Sequence, residues 1–575
     1  MGTSIVDAES VLALELGSIT TRAILFDVVD GQYRYIASGT APTTATAPYY
    51  DVGESVNEAV AHLEETTGRV LMDNNGQLLI PTSADCKGVD RLAITHSIGS
   101  ELRFVVCGLL NDVSLESARN LAATQYGQVM ESFSLNDRRK LEAQLDAMLR
   151  AAPDVVILAG GTENGAGRSV LKQVDLISLM CRILPKEKRP LVLYAGNQAL
   201  GQKVMETLSQ HTYVKMAPNL RPSIDVEDLT PGLDALEEMV AAIRTHKATG
   251  LEALTQVASA PLVSTPYAIG RMARFLSKIY DSSNGVLAVD LDARATTLAV
   301  ATKGKLSLLV LPIGLANGIS TLTDATALEE LIKWLPMTVS PDEVRDYLNQ
   351  KAIYPASIPM DAQSLAIEQA AARQVLRMAA RQMQSRLGEM LSGFEPILAG
   401  GSILSRAPSP AQALLILLDG LQPTGIATVV LDVNGLMPAL GAAAKFNSIL
   451  PVQVLESGGF INLATVISPI CDARYGTKIL RVRMEYEDGR ETRFEIRQGS
   501  ITTISLQTGQ TARIHLQTLQ DVQIDPRSNR TVSSFKIAGG ICGAVIDARG
   551  RPLKLPTDAS RRRDILKKWL SALGG

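Results

Sequence analysis

The chain has 575 residues, 46% hydrophobic and 20% charged, with a net charge of −3; it is too long for one ordinary domain and apolar enough to build several cores. That charge gives no global drive toward nucleic acid, and the longest apolar runs fall far short of the ~20 residues that span a bilayer. Five scattered cysteines (Cys86, Cys107, Cys181, Cys471 and Cys542) argue against a disulfide framework or a zinc site, and, with an acidic first ten residues that carry no apolar core, they point to a reducing, cytoplasmic setting.

Val11-Leu12-Ala13-Leu14-Glu15-Leu16 is an apolar run with one carboxylate, which suits a strand buried on both faces. Gly17 and Ser18 open a hydroxyl-rich turn that continues through Thr20 and Thr21, and a second strand follows over residues 22–27. Backbone N–H groups and hydroxyls in such a turn can hold phosphate oxygens. Glu15, just before it, could hold Mg²⁺ through water. The sheet runs on to residue 40 around a turn at Asp30-Gly31. Val52, Val56, Val60 and Leu63 recur at helical spacing and predict a helix over 52–67. Residues 73–90 read as loop with an edge strand, 91–95 as a strand and 97–101 as a polar turn.

A strand is expected at 104–109, and helices at 115–129 and 135–151. A buried strand at 155–159 ends in Gly160-Gly161, a helix covers 169–183, and a strand at 191–195 ends in Gly196-Asn197. This alternation implies a doubly wound α/β layer. Residues 218–231 are irregular and 233–248 helical. Residues 261–280 lead through Thr265-Pro266 and a helix into a second half.

That half opens with a copy of the first hairpin, Val286-Leu287-Ala288-Val289-Asp290-Leu291. Acid matches acid, Leu matches Leu, and Thr296-Thr297 matches Thr20-Thr21 once a one-residue gap is allowed. Ile397-Leu398-Ala399-Gly400-Gly401-Ser402 likewise repeats Ile157-Leu158-Ala159-Gly160-Gly161-Thr162. The order hairpin, Gly-Gly turn, hairpin, Gly-Gly turn suggests a duplicated domain with its halves facing each other. Gly-Gly turns let a ligand approach the backbone closely. Strands at 298–302 and 306–311 extend the second hairpin. An alanine-rich helix covers 362–391, 429–431 is the last strand of the fold, and 438–447 its closing helix.

After Pro451 the pattern changes to period two, with a hairpin signal at Asp488-Gly489. The expected division is a first lobe over 1–270, a second over 271–450, a separate small β domain over 451–556, and a basic helix over 557–575 that opens at Arg561-Arg562-Arg563. From Asp472 onward the chain carries 19 Lys+Arg against 11 Asp+Glu, or +8, so the rest carries −11. The C-terminal part could therefore face an acidic partner, or a basic helix end could simply be a solvated face.

The hairpins and glycine turns resemble the acetate kinase, sugar kinase and actin superfamily. Within it the pattern is similar to the MutL-like proteins associated with glutamate mutase, which are distinct from the mismatch-repair proteins of that name. The resemblance is carried by residues 157–165, by Leu193-Tyr194-Ala195-Gly196-Asn197, by Thr265-Pro266-Tyr267-Ala268, by the hairpin at Asp290 and by Leu436-Met437-Pro438-Ala439-Leu440-Gly441-Ala442. It runs from about Val11 to Phe446. It implies a two-lobed α/β actin-like fold that clamps ATP or ADP with Mg²⁺, and a role in assisting or reactivating an adenosylcobalamin-dependent carbon-skeleton mutase. Glu15 and Asp290 would organise the metal and the chemistry. Gly17, Ser18, Thr20, Thr21, Thr296 and Thr297 would hold phosphates, and Gly400, Gly401 and Ser402 would line adenosine.

Two departures bear on catalysis. Glu15 stands where the family has Asp, and Asp292 stands where it has a glycine that lets phosphate approach. A carboxylate at 292 repels the nucleotide unless Mg²⁺ or Arg294 neutralises it, so slow hydrolysis, or binding without hydrolysis, stays open. The polar turn at 97–101 also departs from the family's small-residue turn. Two other readings remain: a small-molecule kinase, which needs an acceptor pocket between the halves, and a non-catalytic actin-like scaffold. No Gly-x-x-x-x-Gly-Lys loop, Ser/His/Asp set or cobalamin-type Asp-x-His-x-x-Gly is present. Homo-oligomerisation is left open.

Overall fold

The apolar run at Val11 becomes strand β1 (Val11–Leu16), buried along its whole length in the computed structural model. Val11 and Ala13 face one core while Leu12, Leu14 and Leu16 face another, so both faces are apolar and no alternation shows. The structure describes residues 9–163, 165–279, 284–526 and 532–575. Asn164, Tyr280 and residues 1–8, all touched by the sequence reading, lie outside these.

Strand β2 (Thr20–Val29) pairs antiparallel with β1, and β3 (Gln32–Pro42) pairs antiparallel with β2. Helix α1 (Val52–Thr67) covers it, capped by the Asp51 carboxylate, which accepts from the Gly53 N–H. Residues 73–90 hold no strand, only an isolated bridge between Met72 and Leu78. Strand β4 (Arg91–His96) then runs parallel to β1.

Here the chain leaves the sheet to build another. Strand β5 (Leu102–Cys107), helix α2 (Glu116–Ala122), β6 (Gly127–Phe133), α3 (Leu141–Ala151), β7 (Val155–Leu158), α4 (Gly167–Ile183), β8 (Leu191–Tyr194), α5 (Gly201–Leu208) and β9 (Val214–Met216) form a parallel sheet of order β6-β5-β7-β8-β9. The helix expected over 115–129 is thus cut short by β6. That strand lies at the sheet edge and is largely exposed, so Gly-Gln-Val-Met-Glu-Ser lacks a buried-strand signature. The helix expected from 135 starts only at 141, because Asp137 and Glu131 hold Arg139 in a turn before it. After α6 (Thr230–Lys247) and α7 (Leu251–Val257), strand β10 (Val263–Ser264) returns to pair with β4 and leads into α8 (Thr265–Ile279).

The second lobe repeats the first. Strands β11 (Gly285–Leu291), β12 (Thr296–Thr302) and β13 (Lys305–Leu311) form the antiparallel part. Helices α9 (Ile319–Thr323), α10 (Ala325–Ile332), α11 (Pro341–Ile353) and α12 (Ala362–Leu387) follow. Helix α12 stops four residues before the expected 391, at Gly388 with φ 71°. Strand β14 (Phe394–Gly400), helices α13 (Ser402–Ser405) and α14 (Pro410–Gly420), strand β15 (Gly425–Leu431) and helices α15 (Met437–Ala443) and α16 (Leu450–Glu456) complete it. The order β13-β12-β11-β14-β15 matches β3-β2-β1-β4-β10. The chain therefore has a duplicated, two-lobed actin-like α/β fold, but its two Ala-Gly-Gly turns are not copies of one another. Gly400 ends β14, beside β11, and Gly401 follows it, whereas Gly160-Gly161 comes after β7 of the inserted sheet. The first-lobe counterpart of Gly400-Gly401, by strand register, is Thr95-His96 at the end of β4, just before the turn at 97–101.

Strand β15 is not the last of its sheet. Strand β16 (Ile461–Ser468) pairs antiparallel with it. Strands β17 (Ile470–Cys471), β18 (Lys478–Tyr486) and β19 (Glu491–Arg497) lead to β20 (Ile501–Ile504); after β21 (Thr511–Thr518), β22 (Val522–Gln523) and β23 (Val532–Ala538), β24 (Ala544–Asp547) closes the series. Strands β24 and β20 extend the second-lobe sheet to order β13-β12-β11-β14-β15-β16-β24-β20, while β19-β18-β21-β23 form a sheet of their own. The expected boundary at 451 thus runs through a continuous sheet. Period two reveals strands but not which sheet they join.

The basic tail is also docked. Helix α17 (Ala559–Ala572) buries Ile565, Leu566 and Trp569 in the second-lobe core. Beneath it Asp419 of α14 pairs with Arg373 (2.7 Å) and Arg549 (2.5 Å), and Asp547 pairs with Arg549 (2.8 Å) and Arg551 (2.6 Å). The Arg549 guanidinium lies 4.6 Å from the Trp569 ring centroid. No described helix is long and apolar enough to cross a membrane.

Two outcomes follow from this arrangement. Truncation before Pro451 removes three strands from the second-lobe sheet and bares the edge of β15. The shortened chain is expected to aggregate, and soluble, monodisperse material in size-exclusion chromatography would contradict the shared sheet. Asp547→Asn leaves buried guanidiniums with a counter-charge removed and is expected to cost about 3–5 kcal/mol in denaturant unfolding. Burial alone would raise the Asp547 carboxyl, but Arg549 and Arg551 hold it well below the usual carboxylate range. Its contribution is therefore present above the unfolded value of about 3.9 and is lost as pH falls below it. The gap between wild type and variant should narrow in acid.

Candidate functional site

The two hairpins are superposable residue by residue. The Gly17 N–H donates to Thr20 O at 3.1 Å, and the Asp292 N–H donates to Ala295 O at 3.1 Å. Across the strands Leu16 faces Thr21 and Glu15 faces Arg22, as Leu291 faces Thr296 and Asp290 faces Thr297. No gap is needed. Glu15 corresponds to Asp290, Gly17 to Asp292, Thr21 to Thr296 and Arg22 to Thr297. The gapped Thr-Thr match is corrected accordingly, and Asp292 does occupy a glycine position.

Between the lobes lies a cavity of about 690 Å³. Glu15, Gly17, Ser18, Thr20 and Arg22 line it from the first hairpin, Asp290 and Asp292 from the second, and Gly401 and Ser402 from the turn after β14. Gly401 has φ 98°, and a Cβ there would sit 2.1 Å from Leu291 O, so no other residue fits this turn. Other expected residues lie elsewhere. Thr21 is fully buried and donates to Ser55 Oγ at 3.0 Å. Thr296 is equally buried and donates to Ile313 O at 2.9 Å. Both hydroxyls brace the sheet. Thr297 faces a second, smaller cavity. Gly400 pairs with Asp290 across the parallel strands and stays behind it. Arg294, offered as a partner for Asp292, turns away to donate to Gly99 O at 2.6 Å.

The structure adds residues that the sequence reading missed. Arg22 Nη2 lies 2.6 Å from Glu15 Oε2. Asp432, at the end of β15, accepts from the Leu436 and Met437 N–H groups at 2.8 and 2.7 Å, anchoring the start of α15. A buried Lys351–Glu368 pair (2.8 Å) and residues 355–360 form the far wall. An ungapped overlay of the hairpins would have exposed Arg22, and the acid closing a strand before Asn434-Gly435 would have marked Asp432. Nothing in the sequence marks the far wall.

Electrostatically the site is acidic. Burial raises the Glu15 carboxyl, Arg22 opposes this, and Asp292 and Asp432 add to it. Burial, then Asp292, then Glu15 hold Asp290 well above the ordinary range. Burial also raises Asp432, against the N–H groups of α15. Carboxylates gathered in this way are suited to a cation. Among the described residues no three His, Cys, Asp or Glu side chains stand close enough to form a complete metal cage. This donor set fits Mg²⁺, which keeps most of its waters and takes one or two carboxylates plus ligand oxygens.

The chain is similar in structure to gluconate kinase from Lactobacillus acidophilus (11% identity, covering 78% of this chain and 92% of that one, TM-score 0.31). It is also similar to a nucleotide-free diol dehydratase-reactivating factor (10%, 78% and 100%, TM-score 0.30). A third similar structure is the activator of the 2-hydroxyisocaproyl-CoA dehydratase from Clostridium difficile with bound ADPNP (10%, 78% and 96%, TM-score 0.26). No curated protein matches the sequence. The MutL protein family matches residues 11–458. With most of its length matched, the chain belongs to the MutL protein family, the MutL-like proteins associated with glutamate mutase.

Proposed function

We propose that the chain binds Mg·ATP or Mg·ADP between its lobes and serves as an ATP-dependent accessory or reactivating protein for an adenosylcobalamin-dependent carbon-skeleton mutase such as glutamate mutase. The observation that carries the nucleotide reading is the pair of superposable hairpins, which bring Glu15 and Asp290 to opposite walls of one cavity. The mutase link rests on the association of the MutL-like family.

In this reading Glu15 and Asp290 would hold a hydrated Mg²⁺, which would supply positive charge against the phosphates. Ser18, Thr20 and the backbone of the first turn donate to phosphate oxygens. Gly401 and Ser402 face the adenosine end. Catalysis of phosphoryl transfer is mainly positioning and charge neutralisation, so the residues required are few. Asp292, projecting from a phosphate-binding turn and not paired with Arg294, slows cleavage. That favours a slow ATPase over a fast one, and it is the observation that keeps the scaffold reading as the second choice. We assign partner recognition to the C-terminal strands. Their charges are mostly paired along the sheet surface, as in Lys478–Glu495 and Arg493–Glu491, so shape and edge contacts matter there more than net charge.

Calorimetry with Mg·ADP tests the reading. Wild type is expected to bind, Asp290→Ala to lose at least tenfold in affinity, and Asp292→Ala to lose less. Asp292→Gly is expected to leave phosphate release unchanged or to raise it, with no added acceptor. Absence of nucleotide binding up to millimolar concentration would leave only the scaffold.

A further inference from the structure

Behind Asp290, on the side away from the large cavity, lies a second cavity of about 40 Å³. It is large enough to hold several oxygen-sized atoms. Asp290 and Asp292 line both cavities and form the wall between them. The opposite end is basic. Arg244 is 3% exposed, and its Nη2 donates to Ser100 O at 2.6 Å while its buried Nη1 has no partner. Arg294 Nη1 donates to Gly99 O at 2.6 Å and to Ser97 O at 3.3 Å, and its guanidinium lies 5.3 Å from the Tyr126 ring centroid. Among the described residues neither arginine forms an ion pair with a carboxylate.

Other lining groups also lack partners. His96 is 2% exposed, and neither ring nitrogen has a hydrogen-bond partner. Burial first, then the charge of Arg244, pushes it down to about 3, so the ring is neutral and can donate from one nitrogen. Thr265 Oγ1, at the first turn of the 15-residue helix α8, is buried and unpartnered. The positive end of α8 faces the same space. By contrast Ser264 and Gln125 are already engaged, both donating to Glu237. Gly99 (φ 91°) leaves room for Arg244, since a Cβ there would lie 2.3 Å from Nη1. The polar turn at 97–101 that departs from the family pattern is thus the segment whose carbonyls hold both guanidiniums in place.

A buried guanidinium with a free N–H, a second one alongside, a neutral imidazole and a helix N-terminus are an expensive combination to leave without a ligand. We propose that this cavity is a binding site for a small oxyanion, held by Arg244, Arg294, His96 and Thr265 behind Asp290. The shared chemistry is a compact planar or tetrahedral group of negatively charged oxygens, which guanidinium forks recognise. Two sources supply it: inorganic phosphate, or the carboxylate of a small metabolite. The site depends on the nucleotide reading only for which of these reaches it.

Titration calorimetry on the full chain without nucleotide, using inorganic phosphate and acetate as separate probes, tests the site. At least one probe is expected to bind in the millimolar range or tighter. Arg244→Gln and Arg294→Gln are each expected to weaken it at least tenfold. Arg244→Lys, which keeps the charge but loses the fork, should fall between. Stronger binding of phosphate identifies a product site, and stronger binding of acetate identifies an acceptor site. Failure of both probes to bind wild type, or unchanged affinity in folded Arg244→Gln and Arg294→Gln, overturns the proposal. Mg·ADP affinity, measured separately on Arg244→Gln, is expected to be unchanged. If the oxyanion binds while Mg·ADP does not, the nucleotide reading fails and this site stands.

Discussion

Four carboxylates, Glu15, Asp290, Asp292 and Asp432, line one cleft, with Arg22 in their midst. Like charges brought out of water repel, and Glu15, Asp290 and Asp432 are driven toward their protonated forms. The fold tolerates them because each is placed by something stronger than the repulsion. Glu15 and Asp290 are fixed by strand register, Asp292 by a hairpin turn, and Asp432 by the N–H groups that open α15. Such a cluster costs stability in the empty protein and returns it when a cation arrives, a pattern expected of a binding site rather than of a core.

That placement needs the lobes to be held at one spacing. Helices α8 and α15 supply it. Gly441 of α15 lies so near the backbone of α8 that a Cβ would come within 1.9 Å of Ala268 O. Around them β1 and β2 of the first lobe and β11 and β12 of the second contribute Val11, Ala13, Ile24, Ala288, Ala299 and Ala301 to a common core. The small residues on the second hairpin let the sheets approach the helices closely. The large cleft opens on one side of this junction and the small basic cavity on the other, separated by Asp290 and Asp292.

The segment after residue 450 serves the second lobe from outside. Asp419, Arg373, Asp547, Arg549 and Arg551 form a network with little or no exposure, in which every charge has an opposite partner. Removing Asp419 strands Arg373 and removing Asp547 strands Arg551 in low dielectric, so the network ties α12, α14, β24 and α17 into one unit. The +8 balance of this segment is thereby partly internal, and it is a weaker guide to a partner than the raw count suggests.

Hydrophobic pattern and turn chemistry alone determined a good deal. β1, α1 and the hairpins could be read from the sequence because burial on both faces and 3.6-residue periodicity are local signals, and the repeat of Val-Leu-Ala-x-acid-Leu announced the duplication. Glu15, Gly17, Ser18, Thr20, Asp290, Gly401 and Ser402 were legible as cleft residues because they lie in strand-end turns or just before them. Tertiary structure decided the rest. Thr21 and Thr296 share the hairpin sequence yet point into the sheet, since side-chain direction follows pairing register. Gly160-Gly161 looked like a copy of Gly400-Gly401 but ends a strand of another sheet, because any buried strand that turns sharply can use the same residues. The C-terminal strands joined the second lobe, and Arg244, His96 and Thr265 met around one cavity. Contacts between residues so far apart in the chain depend on which sheet edges pair and which helices cross, and no local pattern records that.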